Sequence, residues 1–436
     1  LVLTFEPLNF LTFELSSMTH SFLSTLPTPS PPSDRLPPAI YILATVSFFV
    51  MMGMGMVAPV LPLFAHRFGV SYTAVGAVIS AFALARLCFD LPGGALSDRF
   101  GERKMAALGT ALVAVGSFLC GLSQSYNQLL LYRALEGAGS ALFVTAAMHY
   151  IIKIVPAARM GRAMSFYQGS ILLGVSFGPS FGGFIASKTD LRIPFFIYGL
   201  LVIAGFLVVL LAMQDIKGKS QEAPLPWKER VRGIFALFGD YTFCFALILT
   251  MAVFFVRSGV RMTIIPLYGE QVVGLGEFEV GLLMTIMSAA NLAAVFFAGR
   301  AVDSRGRRGV VRPALFMLSL FAAGFALTAS FSSMAVVGIL FGLTIPFIAV
   351  VPAAIIADVV PKKISGTAMG VYRTAGDLGL VLGPMAAGFS ASTLGFHPAF
   401  AVMGVFVFLV FLSSLRARET LGEQKAAVLP GYKDSQ

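Results

Sequence analysis

The stretch Gly161–Pro179, GRAMSFYQGSILLGVSFGP, returns 205 residues later as Gly366–Pro384, GTAMGVYRTAGDLGLVLGP. Met164 falls on Met369, Tyr167 on Tyr372, Gly174 on Gly379, Gly178 on Gly383 and Pro179 on Pro384. The same offset sets Gly76 on Gly281, and Gly94, Asp98 and Gly101 on Gly299, Asp303 and Gly306. One offset serving segments this far apart implies two parallel copies of one structural unit.

The solvent that suits such a chain follows from its composition. Of 436 residues, 57% are hydrophobic and only 12% charged, with a mean hydropathy of +0.86. A soluble domain carries roughly 25% charged residues, so this chain cannot cover itself in water. A bilayer core of ~30 Å needs about 20 apolar residues per helix. Runs of that kind lie near 40–63, 72–92, 105–123, 128–152, 161–186 and 193–213, and again near 241–267, 279–299, 312–332, 334–357, 366–390 and 396–415. The ninth and tenth are separated only by a short break around Phe331–Ser333. The expected fold is an all-α integral membrane protein of twelve transmembrane helices in two pseudo-symmetric six-helix bundles, 38–213 and 240–416. Residues 1–37, rich in Pro, Ser and Thr, read as a disordered segment, with 1–17 lying upstream of Met18 and outside the mature protein. The linker 214–239 (DIKGKSQEAPLPWKERVRG, with the sole tryptophan, Trp227) reads as a cytoplasmic connection whose short amphipathic helix lies at the lipid interface, and 417–436 as a cytoplasmic tail.

The net charge of +10 is not the footprint of a nucleic-acid binder, because Lys and Arg sit in short loops between apolar runs. Arg99, Arg103, Lys104, Arg162, Arg305, Arg307, Arg308, Lys362 and Lys363 all fall at one end of the predicted helices, whereas the other end holds only Arg67, Lys188 and Arg192. Positive charge favours the cytoplasmic side, which places both termini there; a bacterial inner membrane is the expected location. Cys88, Cys120 and Cys244 all lie in apolar runs without metal-ligand spacing and read as buried, inert thiols. No phosphate-cradling GxxxxGK[ST] loop, metal set or cofactor is implied, and no nucleophile–base cluster points to an enzyme.

Three motifs carry a family resemblance. After the second run comes Gly94-Ala-Leu96-Ser-Asp98-Arg99-Phe-Gly101-Glu-Arg103-Lys104, with a reduced copy at Gly299–Arg308 that keeps Asp303. The fourth run carries Arg133-Ala-Leu-Glu136-Gly137-Ala-Gly139. The fifth carries Gly174-Val-Ser-Phe-Gly178-Pro179-Ser-Phe-Gly182-Gly183, echoed at Gly379–Gly388 with Gly383 and Pro384. These resemble the signature loop and helix motifs of the major facilitator superfamily, and the last resembles its twelve-helix drug–proton antiporter branch. The resemblance covers about residues 40 to 415. It implies a monomeric secondary transporter whose halves rock about a midplane cavity, moving a small molecule against protons. It also implies that the signature loop locks the halves on the cytoplasmic side, with Asp98 pairing across to the other half or capping a helix. Arg133 is implied to take part in proton coupling, though Glu136 stands where glutamine is usual. Small residues four apart and a bending proline give the fifth and eleventh helices the close packing that a rocking interface needs.

Charges at membrane depth cost ~2.5–3.5 kcal/mol each, which makes them functional candidates. Arg86 with Asp90, Arg133 with Glu136 and Arg373 with Asp377 each form an opposite-sign pair three or four residues apart, so self-neutralisation within one helix is the plain alternative to a transport role. Asp377 falls near the midplane, where it could exchange a proton once per cycle; Glu136, Arg133 and Asp90 are the other coupling candidates. Arg257 and Arg261, four apart in the seventh run with no acid beside them, either bind an anionic group, pair with acids from other helices, or snorkel to the surface. Met52 and Met56 in the first run, and Arg373 and Tyr372 in the eleventh, complete the substrate-binding candidates; the methionines offer a soft apolar surface. Together these favour an amphiphilic or hydrophobic solute, anionic or neutral, exported in exchange for protons. An organic-anion exchanger or uptake symporter using Arg257 and Arg261 is the alternative. His149 reads as a surface or interface residue.

Overall fold

The computed structural model describes residues 36–156, 159–214, 227–361 and 364–420, and from Pro38 onward they form one unit. All but the last two residues of the expected disordered segment, residues 215–226 of the linker and most of the tail lie outside the described residues, as do Lys362 and Lys363. Among the described residues, eleven helices are long and apolar enough to cross a membrane: α1 Pro38–His66, α2 with its apolar part Tyr72–Asp90, α3 Glu102–Leu122, α4 Tyr126–Ile154, α5 Met160–Lys188, α6 Ile193–Ala212, α7 Tyr241–Val273, α8 Glu277–Arg305, α9 Arg307–Leu327, α10 Phe331–Val359 and α12 Phe396–Ser414. The thirty-residue α11, Ser365–Leu394, completes twelve; its many glycines and the Arg373/Asp377 charges dilute its apolarity. In the linker, Trp227–Leu237 is a separate short helix.

Serine caps begin several helices: Ser71, Ser125 and Ser330 each accept from a backbone N–H of the first turn. Two turns demand glycine. Gly101 (φ 92°) joins α2 to α3 and Gly306 (φ 82°) joins α8 to α9, a backbone region that side chains disfavour. These glycines are repeat equivalents, which explains why both loop copies keep them. Several helix ends differ from the sequence reading; α7 runs on to Val273 and α8 to Arg305. α2 runs on to Phe100, carrying most of the signature loop inside a helix even though Pro92 removes one donor from its ladder; the positive φ of Gly101 ends it. The break between α9 and α10 falls at 328–330, where Ser330 caps the next helix.

The helix neighbours repeat with the sequence. α1 packs on α5 and α6, α2 on α4, and α3 on α4 and α6; likewise α7 packs on α11, α8 on α10, and α9 on α10 and α12. The two six-helix bundles meet along α2 with α11 and along α5 with α8. Glycines of the fifth-helix motif make these approaches possible. A Cβ at Gly174 would sit 2.6 Å from the Phe48 carbonyl of α1, and one at Gly178 or Gly182 would collide with the Met52 or Met56 carbonyl. Gly183 faces the other bundle, against the Glu277 carbonyl and Gly281; its equivalent Gly388 lies against the Tyr72 carbonyl.

The inter-bundle contacts gather toward the end opposite the basic loops. There the Thr73 amide donates to Ser392 Oγ (3.0 Å), Tyr72 stacks near Phe396 (4.8 Å between centroids), and Arg67 lies 3.8 Å from Glu277. Just inside, a cavity of about 40 Å³ lies between Met54, Phe82 and Arg133 of one bundle and Ser258, Met262 and Leu380 of the other. That is room for a few waters at most, so the protein is shut on this side. Gly183→Val is expected to hold these ends apart. Labelling of a cysteine placed at Ser392 by a hydrophilic maleimide, in a chain lacking its native cysteines, then rises several-fold; an unchanged rate contradicts this reading of the glycine.

Candidate functional site

α2 and α11 run antiparallel, and each carries an arginine four residues before an aspartate. Antiparallel packing sets the head of one motif against the tail of the other. Arg86 donates to Asp377 at 2.5 Å and Arg373 to Asp90 at 3.4 Å. The expected pairing within each helix is therefore replaced by two ion pairs between the bundles. The facing helix supplies oppositely charged partners in matching register. Asp377 is 1% exposed, and its Oδ2 receives no hydrogen bond among the described residues. Asp90 also receives a long hydrogen bond from Thr145 Oγ1 (3.5 Å). Ser80, a turn and a half before Arg86, donates to the Val381 carbonyl at 2.5 Å, holding the register.

Arg133 and Glu136 do pair within α4, and both are buried. Gly116 of α3 leaves the space that Glu136 fills, and Phe82 lies under the Arg133 guanidinium at 4.7 Å. Glu136 lies inside one bundle, whereas Arg133 also borders the small cavity between the bundles.

The two arginines of α7 have different surroundings. From Arg257 to Ile264 the helix widens into a π-helix, a departure often associated with functional sites. Arg261 is buried and donates to Ser288 Oγ and to the Met284 carbonyl (3.2 Å) of α8. Arg257 lines a cavity of about 170 Å³ with Thr250, Phe254, Asn291, Ile345 and Tyr372. No hydrogen bond or ion pair reaches it among the described residues. The two candidates thus part: one ties α7 to α8, the other faces open space beside Tyr372. Met56 is 1% exposed and Met52 partly buried along the α1–α5 contact, so neither lines this cavity. Asn291 was missed from sequence, although the repeat offset makes it the counterpart of Arg86.

At the basic end, Asp98 does not reach the other bundle; it lies 3.9 Å from both His149 and Lys153 of its own. Its described partners are two cations four residues apart on α4, which packs against α2. Lys153 pairs with buried Glu102. Asp98, Glu102 and His149 are close enough to share a cation, but Lys153 already supplies the positive charge. Arg99 lies over Phe100 (5.2 Å), and Arg103 donates to the Leu210 carbonyl of α6 at 2.6 Å. In the second copy Arg307 bridges Asp303 (3.3 Å) and Asp358 (3.2 Å), while Glu419 accepts from the Arg307 and Arg308 amides (2.8 and 2.9 Å). The cysteines depart from expectation: only Cys120 is buried, while Cys88 is exposed and Cys244 half-buried, since an apolar helix face here meets lipid as readily as protein.

The sequence profile of the Major Facilitator Superfamily matches residues 43–276 and 247–430. An uncharacterized MFS-type transporter of Methanocaldococcus jannaschii is 24% identical over 391 residues, 87% of this chain and 98% of its own length. Quinolone resistance protein NorA of Staphylococcus aureus is 28% identical over 178 residues, covering 41% of this chain and 46% of that protein. Among solved structures, a bacterial homolog of the human lysosomal transporter Spinster, inward-facing and unoccupied, aligns with a TM-score of 0.72 at 16% identity over 86% of this chain and 96% of that one. A D-xylose–proton symporter aligns with a TM-score of 0.72, also at 16% identity, over 88% and 99%. At these identities the structures speak for the fold alone.

Removing one member of a buried ion pair leaves the other uncompensated, at a cost of about 3–5 kcal/mol. Arg86→Ala is expected to destabilise the chain on that scale, and Arg86→Ala with Asp377→Leu to recover most of it, as read by denaturant unfolding in detergent. Additive losses would show that the two side chains are not coupled.

Proposed function

The chain belongs to the major facilitator superfamily, so it is a membrane transporter and not an enzyme, and from that premise we propose that it exports a small amphiphilic solute in exchange for protons. Asp377 is the proton carrier in this reading. The observation that carries it is the Arg86–Asp377 pair: a buried carboxylate, one oxygen without a hydrogen bond, bonded across the seam between the moving bundles. A proton on Asp377 cancels the charge that holds Arg86 and so loosens α2 from α11 at the level where the bundles must part. The second pair, Arg373–Asp90, limits how far one protonation goes, because it still ties the same helices. Glu136, enclosed within one bundle, fits a supporting role.

The excess of Lys and Arg at one end supports a cytoplasmic placement of that end, in a bacterial inner membrane. The structure, shut at the opposite end, then corresponds to the state that receives solute from the cytoplasm. The likeness to a quinolone resistance protein supports export. In the cycle, the solute enters from the basic end, the bundles rock, and the solute leaves at the far side. Protonation of Asp377 from that side resets the carrier. The signature loop with Asp98, Arg99 and Lys104 closes the basic end in the other state, when the ends of the bundles approach.

One observation favours the second reading, an organic-anion exchanger or symporter: Arg257 faces a cavity with no acid to neutralise it. The two readings differ in proton movement. Proteoliposomes enclosing a pH dye, challenged with lipophilic cations, neutral compounds and amphiphilic anions, separate them. Compound-driven proton flux that disappears in Asp377→Asn, while solute–solute exchange survives, is the expected result. Transport without proton movement, or proton flux indifferent to Asp377→Asn, removes the coupling role.

A further inference from the structure

Five arginines and three acids stand at membrane depth in α2, α4, α7 and α11. Arg86 with Asp377, Arg373 with Asp90 and Arg133 with Glu136 form three pairs. The two surplus cations are both on α7. Arg261 is held by neutral acceptors on α8, a hydroxyl and a carbonyl. Arg257 has neither an anion nor a neutral acceptor among the described residues, and the charged groups near it, Arg86 and Arg261, are of like sign. A guanidinium left this way is expensive at such a depth. A chain that keeps one there has a use for it.

The cavity beside Arg257 specifies what would fill the gap. Tyr372 and Asn291 offer neutral hydrogen-bonding groups, while Phe254, Val295 and Ile345 supply apolar walls. At about 170 Å³ it matches the space that takes a single benzene-sized ring, about 150 Å³ in an engineered case. One unneutralised cation suits one negative charge, and the planar guanidinium fork suits a carboxylate. The repeat sharpens the asymmetry. Arg257 and Arg261 stand where the first copy has Met52 and Met56, so the second bundle presents charge where the first presents soft apolar surface.

We propose that this cavity is the headgroup site for the transported solute and that the solute is a monoanionic carboxylate with a compact apolar body. The carboxylate sits on Arg257, with Asn291 and Tyr372 beside it and the apolar part against Phe254 and Val295. Arg261 has no direct part. The inference rests on the transporter reading above for the cavity's being the solute's site, and not on proton coupling.

The test is binding to the purified full chain in nanodiscs, with benzoate, salicylate and indole-3-acetate as probes and the corresponding neutral amides as controls of nearly equal shape. The acids are expected to bind and the amides not. Arg257→Gln should weaken the acids by about tenfold or more, the loss expected for a charge-assisted hydrogen bond, with Arg257→Lys intermediate. Asn291→Leu, which leaves the charge in place, should weaken them several-fold and guards against a misfolded arginine variant. Equal binding of acids and amides by the natural chain overturns the proposal. So does unchanged acid binding in folded Arg257→Gln, including the case where that variant loses only proton flux, because Arg257 would then serve Asp377. Acid binding that depends on Arg257 in a chain that moves no protons upholds the site and removes only the coupling reading.

Discussion

A charge held away from water must be neutralised by the protein around it, and the packing of α2 against α11 is built on that requirement. Two helices bearing Arg and Asp at the same spacing satisfy it crosswise only if they run antiparallel and in one register. Slide either by a turn and Arg86 meets Arg373's surroundings while Asp377 is left bare. The seam therefore has a defined position along its length, and the neighbouring contacts follow from it, from Ser80 on the Val381 carbonyl to Thr73 on Ser392. The same two pairs lie in the seam between the bundles, so parting α2 from α11 means leaving or re-pairing four charges.

The second constraint is steric. In lipid, helices gain little from apolar burial against one another, so close backbone approach supplies much of the association. Glycines on α5 and α11 let these helices touch α1 and α7 within their own bundles, and one further glycine on each reaches across to α8 or α2. A motif that looks like a single signature thus has two jobs on two faces. The interior of each bundle becomes rigid, while the seam between them stays narrow enough to seal one end.

Much of the fold was legible in the sequence because its causes are local or periodic. Apolar runs of spanning length mark the helices, a single offset marks the two bundles, and Gly101 and Gly306 mark the turns at one end. The site was legible in its residues and not in their partnerships. Arg86 and Asp90, four apart, satisfy every local rule for an internal pair; only the facing helix turns them outward. Arg257 and Arg261 looked equivalent by spacing, but the π-helical widening of α7 sends one toward α8 and leaves the other on the cavity. Asn291, an uncharged residue in an apolar run, draws attention only when the repeat is used to ask what stands in place of Arg86. Asp98 reads as a bridge by resemblance, yet the cations beside it, His149 and Lys153, come from its own bundle.

The basic end holds a different kind of information. Glu102 and Lys153 pair in the first copy; the residues one repeat later, Arg307 and Asp358, pair with the signs exchanged. Each pair satisfies its own bundle equally well. A mixed assembly, with a helix of one copy inserted among those of the other, would bring Glu102 against Asp358 or Lys153 against Arg307. Two near-duplicate halves emerging in turn from the same ribosome risk such hybrids, and like charges at an inner helix contact reject them. The inversion leaves the two halves non-interchangeable at this contact, although one offset relates them everywhere along it.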